Sequence, residues 1–346
     1  MTDYQDVHDE LRSVARDLLA KDNVDWPLLV QAGWVGLEAP EHCGGAGASF
    51  AEVAVVLDQI GRAAASTAYL GGAVLSVGAL NALQPNDSRD GLLSDVVVGE
   101  VRAAVALPTD GSTAPLFHFD GAAVTGRAEF VPDAGVADEL LLLATGARDQ
   151  SVIVRVPTGA LDVQRQSVLD ETRGLATVSA DSVAVDRSAV WTIGAEAAAA
   201  LLDRARLAVA CDSLGLAEAM LDATVAYALV REQFGRPIGS FQAVKHACAD
   251  MLVSVTVGRR LVADAVEAVA AGAPEAATAV LMAKAHACGS AVDVVGKAMQ
   301  LHGGIGYTWE SGIHVYLKRA ALNRSLFGSP AAHRKQLAER YENWRN

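Results

Sequence analysis

The 346-residue chain is poor in cysteine, in aromatic residues and in positive charge. Its four cysteines, Cys43, Cys211, Cys248 and Cys288, are far apart and form no Cys-x-x-Cys pair. A structural zinc site and a disulfide framework are therefore not expected, and the thiols read as reduced and mostly buried. With 28 Lys and Arg against 41 Asp and Glu, the net charge of −13 provides no basic footprint for nucleic acid. The start, "MTDYQDVHDELRSVARDLL", lacks the basic and then apolar pattern of an export signal, so a cytoplasmic location is expected. One uncharged stretch, Ala63 to Asn86, approaches the length of a bilayer span. It contains Ser66, Thr67, Gly71, Gly72, Ser76, Gly78 and Asn81, a composition suited to buried helices and not to a lipid-facing one, so no membrane span is expected.

What is present is alanine, valine and leucine in long runs, at 51% apolar overall, which implies close-packed helices. Periodicity divides the chain into three parts. Residues 1–95 carry apolar positions at three- and four-residue spacing, as in "FAEVAVVLDQIGRA", the pattern of amphipathic helices. The Pro40, Gly44, Gly45 and Gly47 loop interrupts them, and Ser49 can cap the next helix. Residues 96–188 change to short Val, Leu, Ala and Thr runs broken by Gly, Pro and Asp, which reads as a β-domain. Residues 189–346 return to long helical segments broken near 235–240, 272–274 and 302–306, which suits an antiparallel bundle. The fold class is α+β: an N-terminal helical domain, a middle β-domain and a C-terminal helical bundle.

Two stretches in the bundle have the chemistry of a cofactor clamp. In "REQFGRPIGSFQAVKHACADM" (231–251), Arg231 offers a planar, permanently charged fork for a pyrophosphate, Phe234 an apolar face, and Gly235 a close approach of backbone. Gln242 can offer an amide to adenine or ribose. In "AMQLHGGIGYTWE" (298–310), Gly303 and Gly304 leave room for a flat ring, with Gln300 within one helical turn. The plain alternatives are a helix corner with a solvated arginine and an ordinary glycine helix stop. His302 and Glu310, beside the glycines, read as packing and helix-start residues. Asp170, Thr172 and Arg173 read as a turn between strands, and Arg155 and Arg165 as surface arginines.

These two stretches, with "GWVGLEAPEHCGGAG" (33–47), in this order and with helices, strands and helices around them, resemble the acyl-CoA dehydrogenase family over essentially the whole chain. The resemblance implies FAD as cofactor, an acyl-CoA thioester as substrate and an electron-accepting flavoprotein as partner. It also implies that Arg231, Phe234, Gln242, Gln300, Gly303 and Gly304 hold the adenosine and pyrophosphate end of an FAD whose flavin sits in the neighbouring subunit.

The family's reaction requires a carboxylate to take the α-proton, and both of the family's positions for it are empty here. One aligns with Gly328 or its neighbour in "SLFGSPAAHR", and no carboxylate occurs between Ser311 and Ala338; the other aligns with Ala205. The weak substitutes are Asp203, about 200° around the helix from Ala205, and Asp212, roughly 10 Å along it. Both read more simply as helix-surface carboxylates near Arg204 or Arg206. The flavin-contacting Trp-Ile-Thr of the family aligns with Phe130, Val131 and Pro132, of which only Phe130 retains a ring to stack on flavin, and Pro132 lacks a backbone NH. The second flavin loop is reduced to "ALPTDGSTAP" (106–115).

The expectation is a subunit that pairs with a catalytic sister subunit in a heterotetramer, of the kind the family uses for bulky substrates such as steroid side-chain CoA thioesters. The alternatives are a self-sufficient homo-oligomer with a displaced carboxylate and a non-enzymatic scaffold. No metal site is expected.

Overall fold

The computed structural model describes residues 2–21, 24–147 and 149–345. Helices come first: α1 (Thr2–Leu19), α2 (Trp26–Gln31), α3 (Phe50–Ala63), α4 (Ser76–Asn81) and α5 (Asp87–Val97). Short polar side chains start three of them. Asp25 accepts from the Leu28 amide at α2, Asn86 from the Arg89 amide at α5, and Ser49 with Glu52 forms a capping box at α3. Each gives a partner to first-turn amides that the helix itself cannot satisfy. The uncharged 63–86 run holds a π-helical turn, Leu70–Leu75, leading into α4, and both are largely buried. Its glycines are packing sites: a Cβ on Gly72 would lie 2.6 Å from the Trp26 ring, and one on Gly71 2.4 Å from the Pro132 carbonyl.

The middle of the chain forms one sheet from β1 (Ala103–Ala106), β2 (Phe117–Phe119), β3 (Ala123–Pro132), β4 (Glu139–Thr145), β5 (Ser151–Pro157), β6 (Asp162–Arg165), β7 (Leu175–Ala184) and β8 (Val190–Thr192). The order is β6-β7-β3-β2-β4-β5-β8, with β1 added alongside β4. Both β1 and β2 run parallel to β4, and the remaining pairs are antiparallel. "ELLLLAT" is apolar throughout because β4 is buried on both faces. Leu141 and Leu143 join the core shared with the helices, while Leu140, Leu142 and Ala144 face the sheet's own core.

The bundle consists of α6 (Ala195–Val230), a hairpin of two-residue strands β9 (Glu232–Gln233) and β10 (Arg236–Pro237), α7 (Gln242–Ala270), α8 (Ala276–His302), α9 (Ile313–Ser325) and α10 (Pro330–Arg345). Small residues set its tightest crossing. A Cβ on Gly61 of α3 would lie 2.0 Å from the Asp212 carbonyl, and one on Gly215 of α6 2.1 Å from the Asp58 carbonyl, so the two backbones touch. Both α6 and α8 are long and apolar enough to cross a membrane, but half or more of each apolar window is buried inside the protein. Cys43, Cys211 and Cys288 are buried, Cys248 is half-buried, and all four are free thiols.

Candidate functional site

α6 ends where Arg231 turns to extended backbone, its amide still donating to the Tyr227 carbonyl. Phe234 and Gly235 follow in the left-handed region, at φ 54° and 75°, and make the two-residue turn between β9 and β10. The hairpin folds back on α6: the Ile238 amide donates to the Arg231 carbonyl at 2.8 Å, and a Cβ on Gly239 would lie 2.9 Å from the Ala228 carbonyl. Phe234 is 92% exposed at the tip, an unusual position for a phenylalanine. Phe241 stands edge-on to it at 6.1 Å and carries Arg236 over its ring at 4.2 Å. Arg231 and Gln242 are exposed, and their side chains have no hydrogen-bond or ion-pair partner among the described residues.

The second stretch ends at the same place. α8 stops at Gly303 (φ 64°), and His302 just before it stacks on Tyr227 with ring centroids 4.4 Å apart. Tyr227 also donates to the His302 carbonyl at 3.4 Å, and His302 Nδ1 pairs with the Ala298 carbonyl at 2.8 Å. His302 is thus the packing piece that joins the last turns of α6 and α8. Gln300 is exposed and unpartnered among the described residues, and a Cβ on Gly235, Gly303 or Gly304 would meet nothing within 4 Å. Glu310 lies exposed in a 3-10 turn ahead of α9, whose cap is Gly312. An open surface with a fixed cation, a bare aromatic face, two free amides and three bare glycines suits the adenosine and pyrophosphate half of an FAD.

The positions that the family resemblance assigns to the flavin and the base already carry internal contacts. Phe130, at φ 57° in a bulge of β3, is half-exposed, but its amide already donates to Gln166 Oε1 at 2.7 Å. Beyond Pro132, Asp133 accepts from the Gly71 amide at 2.7 Å. Burial pushes the Asp133 carboxyl up to about 6, against the pull of that hydrogen bond and of Arg173. The Thr109 carbonyl accepts from the Phe327 amide at 2.7 Å, which seats the 106–115 loop on the 325–329 turn. Gly328, at φ 103°, is pinned there: a Cβ would lie 2.7 Å from His333 Cε1 and 3.2 Å from Gly111 Cα. Lys284, fully buried, donates to the Gly328 carbonyl at 3.1 Å and to the Asn323 carbonyl at 2.8 Å. Arg206 donates to the Phe327 carbonyl at 3.4 Å. Burial, then the charges of Lys284 and Arg206, push buried His333 down to about 4. A glycine wedged among a lysine, an arginine and a neutral histidine has no space for a base. These residues do not fit a flavin held in the family's manner.

The two substitute carboxylates are tied up in different ways. Asp203 pairs with Arg206 at 2.8 Å, as its position suggested, and burial raises its carboxyl against that arginine's pull. Asp212 is not on the helix surface and its partner is neither Arg204 nor Arg206. It is fully buried because α6 lies between α3 and α9, and Arg319 of α9 binds it at 2.6 Å and 3.1 Å. Arg173 at 3.0 Å and Asn323 at 2.6 Å complete its shell. Burial raises the carboxyl, but Arg319 and Arg173 outweigh it and hold it at about 2. Such a group is a poor proton acceptor near neutral pH. Ala205 is fully buried. Arg155, expected to be solvated, pairs with Glu139 across β4 and β5 at 2.9 Å.

Sequence reading missed Gln166, Lys284, Arg319 and His333. Lys284 had a signal, a lone cation in the apolar run "AVLMAKAHACGSAV", and Arg319 and Asn323 share a helix face at i, i+4. Gln166 had none, since its role depends on a contact across the sheet.

Comparison with known proteins identifies the family of the whole chain. Residues 5–99 match the profile "Acyl-CoA dehydrogenase, N-terminal domain" and residues 193–342 match "Acyl-CoA dehydrogenase, C-terminal domain". The chain is 33% identical to "Acyl-CoA dehydrogenase IpdE2" of Mycolicibacterium smegmatis over 332 residues, 94% of this chain and 91% of that one. It is similar to the structure titled "Tcur3481-Tcur3483 steroid ACAD G363A variant" at TM-score 0.88 and 28% identity, over 99% of both chains. It is also similar to the ChsE4-ChsE5 complex of Mycobacterium tuberculosis at TM-score 0.86 and 26% identity, over 98% of this chain and 96% of that one. With both profiles covering most of its length and that relative spanning nearly all of it, the chain belongs to the acyl-CoA dehydrogenase family, whose cofactor is FAD.

Proposed function

We propose that this chain is the non-catalytic half of a heteromeric acyl-CoA dehydrogenase. It pairs with a sister subunit that holds the flavin and the base, and it supplies Arg231, Phe234, Gln242, Gln300, Gly303 and Gly304 to the adenosine and pyrophosphate end of that subunit's FAD. The substrate is an acyl-CoA thioester, desaturated between its α and β carbons, and electrons leave to an electron-accepting flavoprotein. The names of similar structures include a steroid ACAD and a two-component complex, which supports a steroid-derived acyl group and a sister subunit; the assembly we propose is a heterotetramer in the cytoplasm.

The observation that carries this reading is position 328. Gly328 or its neighbour stands where the resemblance places the family's base, and a Cβ added at Gly328 would lie 2.7 Å from His333, while the residues of the proposed clamp at the far ends of α6 and α8 are open and unpartnered among the described residues. Bound FAD would supply the hydride acceptor, and this chain's own residues would orient its adenosine end and leave the proton transfer to the partner. The rival reading, a self-sufficient homo-oligomer, has one observation in its favour, the raised carboxyl of Asp203. The chain should be purified alone and together with a co-expressed sister subunit. Expected are a nearly colourless, inactive chain alone and a yellow, active complex in which Asp203→Asn leaves turnover unchanged. Full flavin occupancy with acyl-CoA turnover by the chain alone would overturn the reading.

A further inference from the structure

A slot of about 710 Å³ opens between α1, α3, α6 and α7, away from the clamp at the far ends of α6 and α8. That is within the usual size of small-molecule sites. Its walls are apolar, from Ala54 and Val55 of α3, Leu214 of α6, and Val262 and Val266 of α7. Six side chains of Asp, Glu, His and Arg edge it, and four of them are paired. His8 meets Glu52 at 2.9 Å and Arg12 meets Asp9 at 2.6 Å. Glu218 takes Arg62 and Arg259, each at 2.7 Å. Asp58 is one of the two exceptions. It is half-buried against the slot and accepts one hydrogen bond, from Gln59 Nε2 at 2.7 Å, and it makes no ion pair among the described residues. Glu267, exposed in the same lining, is likewise unpaired among the described residues, so the unbalanced charge of the slot is negative.

Burial, reinforced by the neighbouring charge of Glu218, pushes the Asp58 carboxyl up to about 7, and the more distant Arg62 and Arg12 do not offset it. A carboxylate kept in an apolar wall without a counter-ion gains most from a cation that brings its own hydrocarbon with it.

We propose that this slot is a second small-molecule site, for an amphipathic amine whose apolar body lies along α3 and α7 and whose ammonium group pairs with Asp58. The proposal does not depend on the clamp or on the identity of the sister subunit. Three ten-carbon probes that differ only in their head group test it: decylamine, decanol and decanoate. Each is titrated by calorimetry, below its aggregation threshold, into the full chain in its purified complex. Decylamine is expected to bind about tenfold more tightly than decanol, with decanoate weakest. Asp58→Asn should remove the preference for the amine and keep decanol binding, and Val262→Trp should abolish all three by filling the slot; unchanged flavin absorbance checks that both variants are intact. Equal binding of the three probes, no binding of any, or an amine preference that survives Asp58→Asn would overturn the proposal. Binding to the chain alone but not to the complex would overturn it as well, since the slot would then be part of a subunit contact.

Discussion

Asp212 shows how much one buried carboxylate can hold together. Its partners come from two distant parts of the chain: Arg319 and Asn323 from α9, and Arg173 from the turn between β6 and β7. Arg319 extends the network to the Ala65 carbonyl at 2.8 Å and to Thr172 Oγ1 at 2.9 Å. Removing the carboxylate leaves two buried guanidinium groups facing each other, so Asp212→Asn should cost about 3–5 kcal/mol near neutral pH, read as a lower urea midpoint. The pH dependence has a definite sign. Because the folded carboxyl is held at about 2, below its usual range, its stabilisation is complete above the unfolded value and is lost as pH falls through 2. The deficit of the variant should therefore shrink steadily from about pH 4 downward. A deficit that stayed constant over that range would show that the carboxylate's charge is not what it contributes.

At the scale of elements, the hairpin between α6 and α7 is a case of function kept apart from stability. Its anchors face inward, through Gly239 against Ala228 and Tyr227 against His302, while Arg231, Phe234 and Gln242 face out. Phe234→Ala and Arg231→Ala should thus shift the melting of the chain by no more than about 0.5 kcal/mol, as expected for exposed positions. Each should lower the flavin content of the complex, measured from the ratio of visible to ultraviolet absorbance. Equal flavin content in wild type and both variants would remove these residues from the clamp. The break between α6 and α7 was legible in sequence because Phe-Gly and Arg-Pro interrupt a strong helical period, though not its hairpin form, and the β-domain was legible because short apolar runs are broken by Gly, Pro and Asp. The π-helical turn at Leu70–Leu75 was not, since Gly71 and Gly72 weaken any helix without specifying a π turn over an α turn. Nor was the seat of the 106–115 loop. The contact of Thr109 with Phe327 joins residues more than two hundred positions apart, and local pattern has no access to it. The lack of a carboxylate at the two positions that the family resemblance marks could be read in sequence, but the crowding at Gly328 could not, because it depends on His333 and Gly111 arriving from separate elements.

At the scale of the whole molecule, one side is closed and the other is unfinished. The Asp212 network and the Asp133 contact with Gly71 bind the sheet to both helical parts, and the 106–115 loop seals the 325–329 turn. Along the outer parts of α6 and α7, however, Leu229, Val230, Leu252 and Val253 stand exposed in water, next to the bare Phe234. Val225, Leu229 and Leu252 also line a groove of about 490 Å³ between the two helices. A run of exposed apolar residues beside the proposed clamp is costly for a monomer and natural for a subunit. If the sister subunit covers this face, Leu229→Asp with Leu252→Asp should leave the chain folded by circular dichroism yet abolish co-elution with its partner in light-scattering chromatography. Flavin should be lost with the partner, because half of each site would be missing. The intact complex gives a sharper count. On the proposed reading, in which the Phe130 amide stays bonded to Gln166 and the 325–329 turn to Thr109, this chain holds no reactive flavin of its own. FAD should then be found at one per pair of unlike chains, whereas a homo-oligomer of self-sufficient subunits would hold one per chain. Quantifying released FAD against both polypeptides separates the two, and a ratio of one per chain would return the reactive flavin to this subunit.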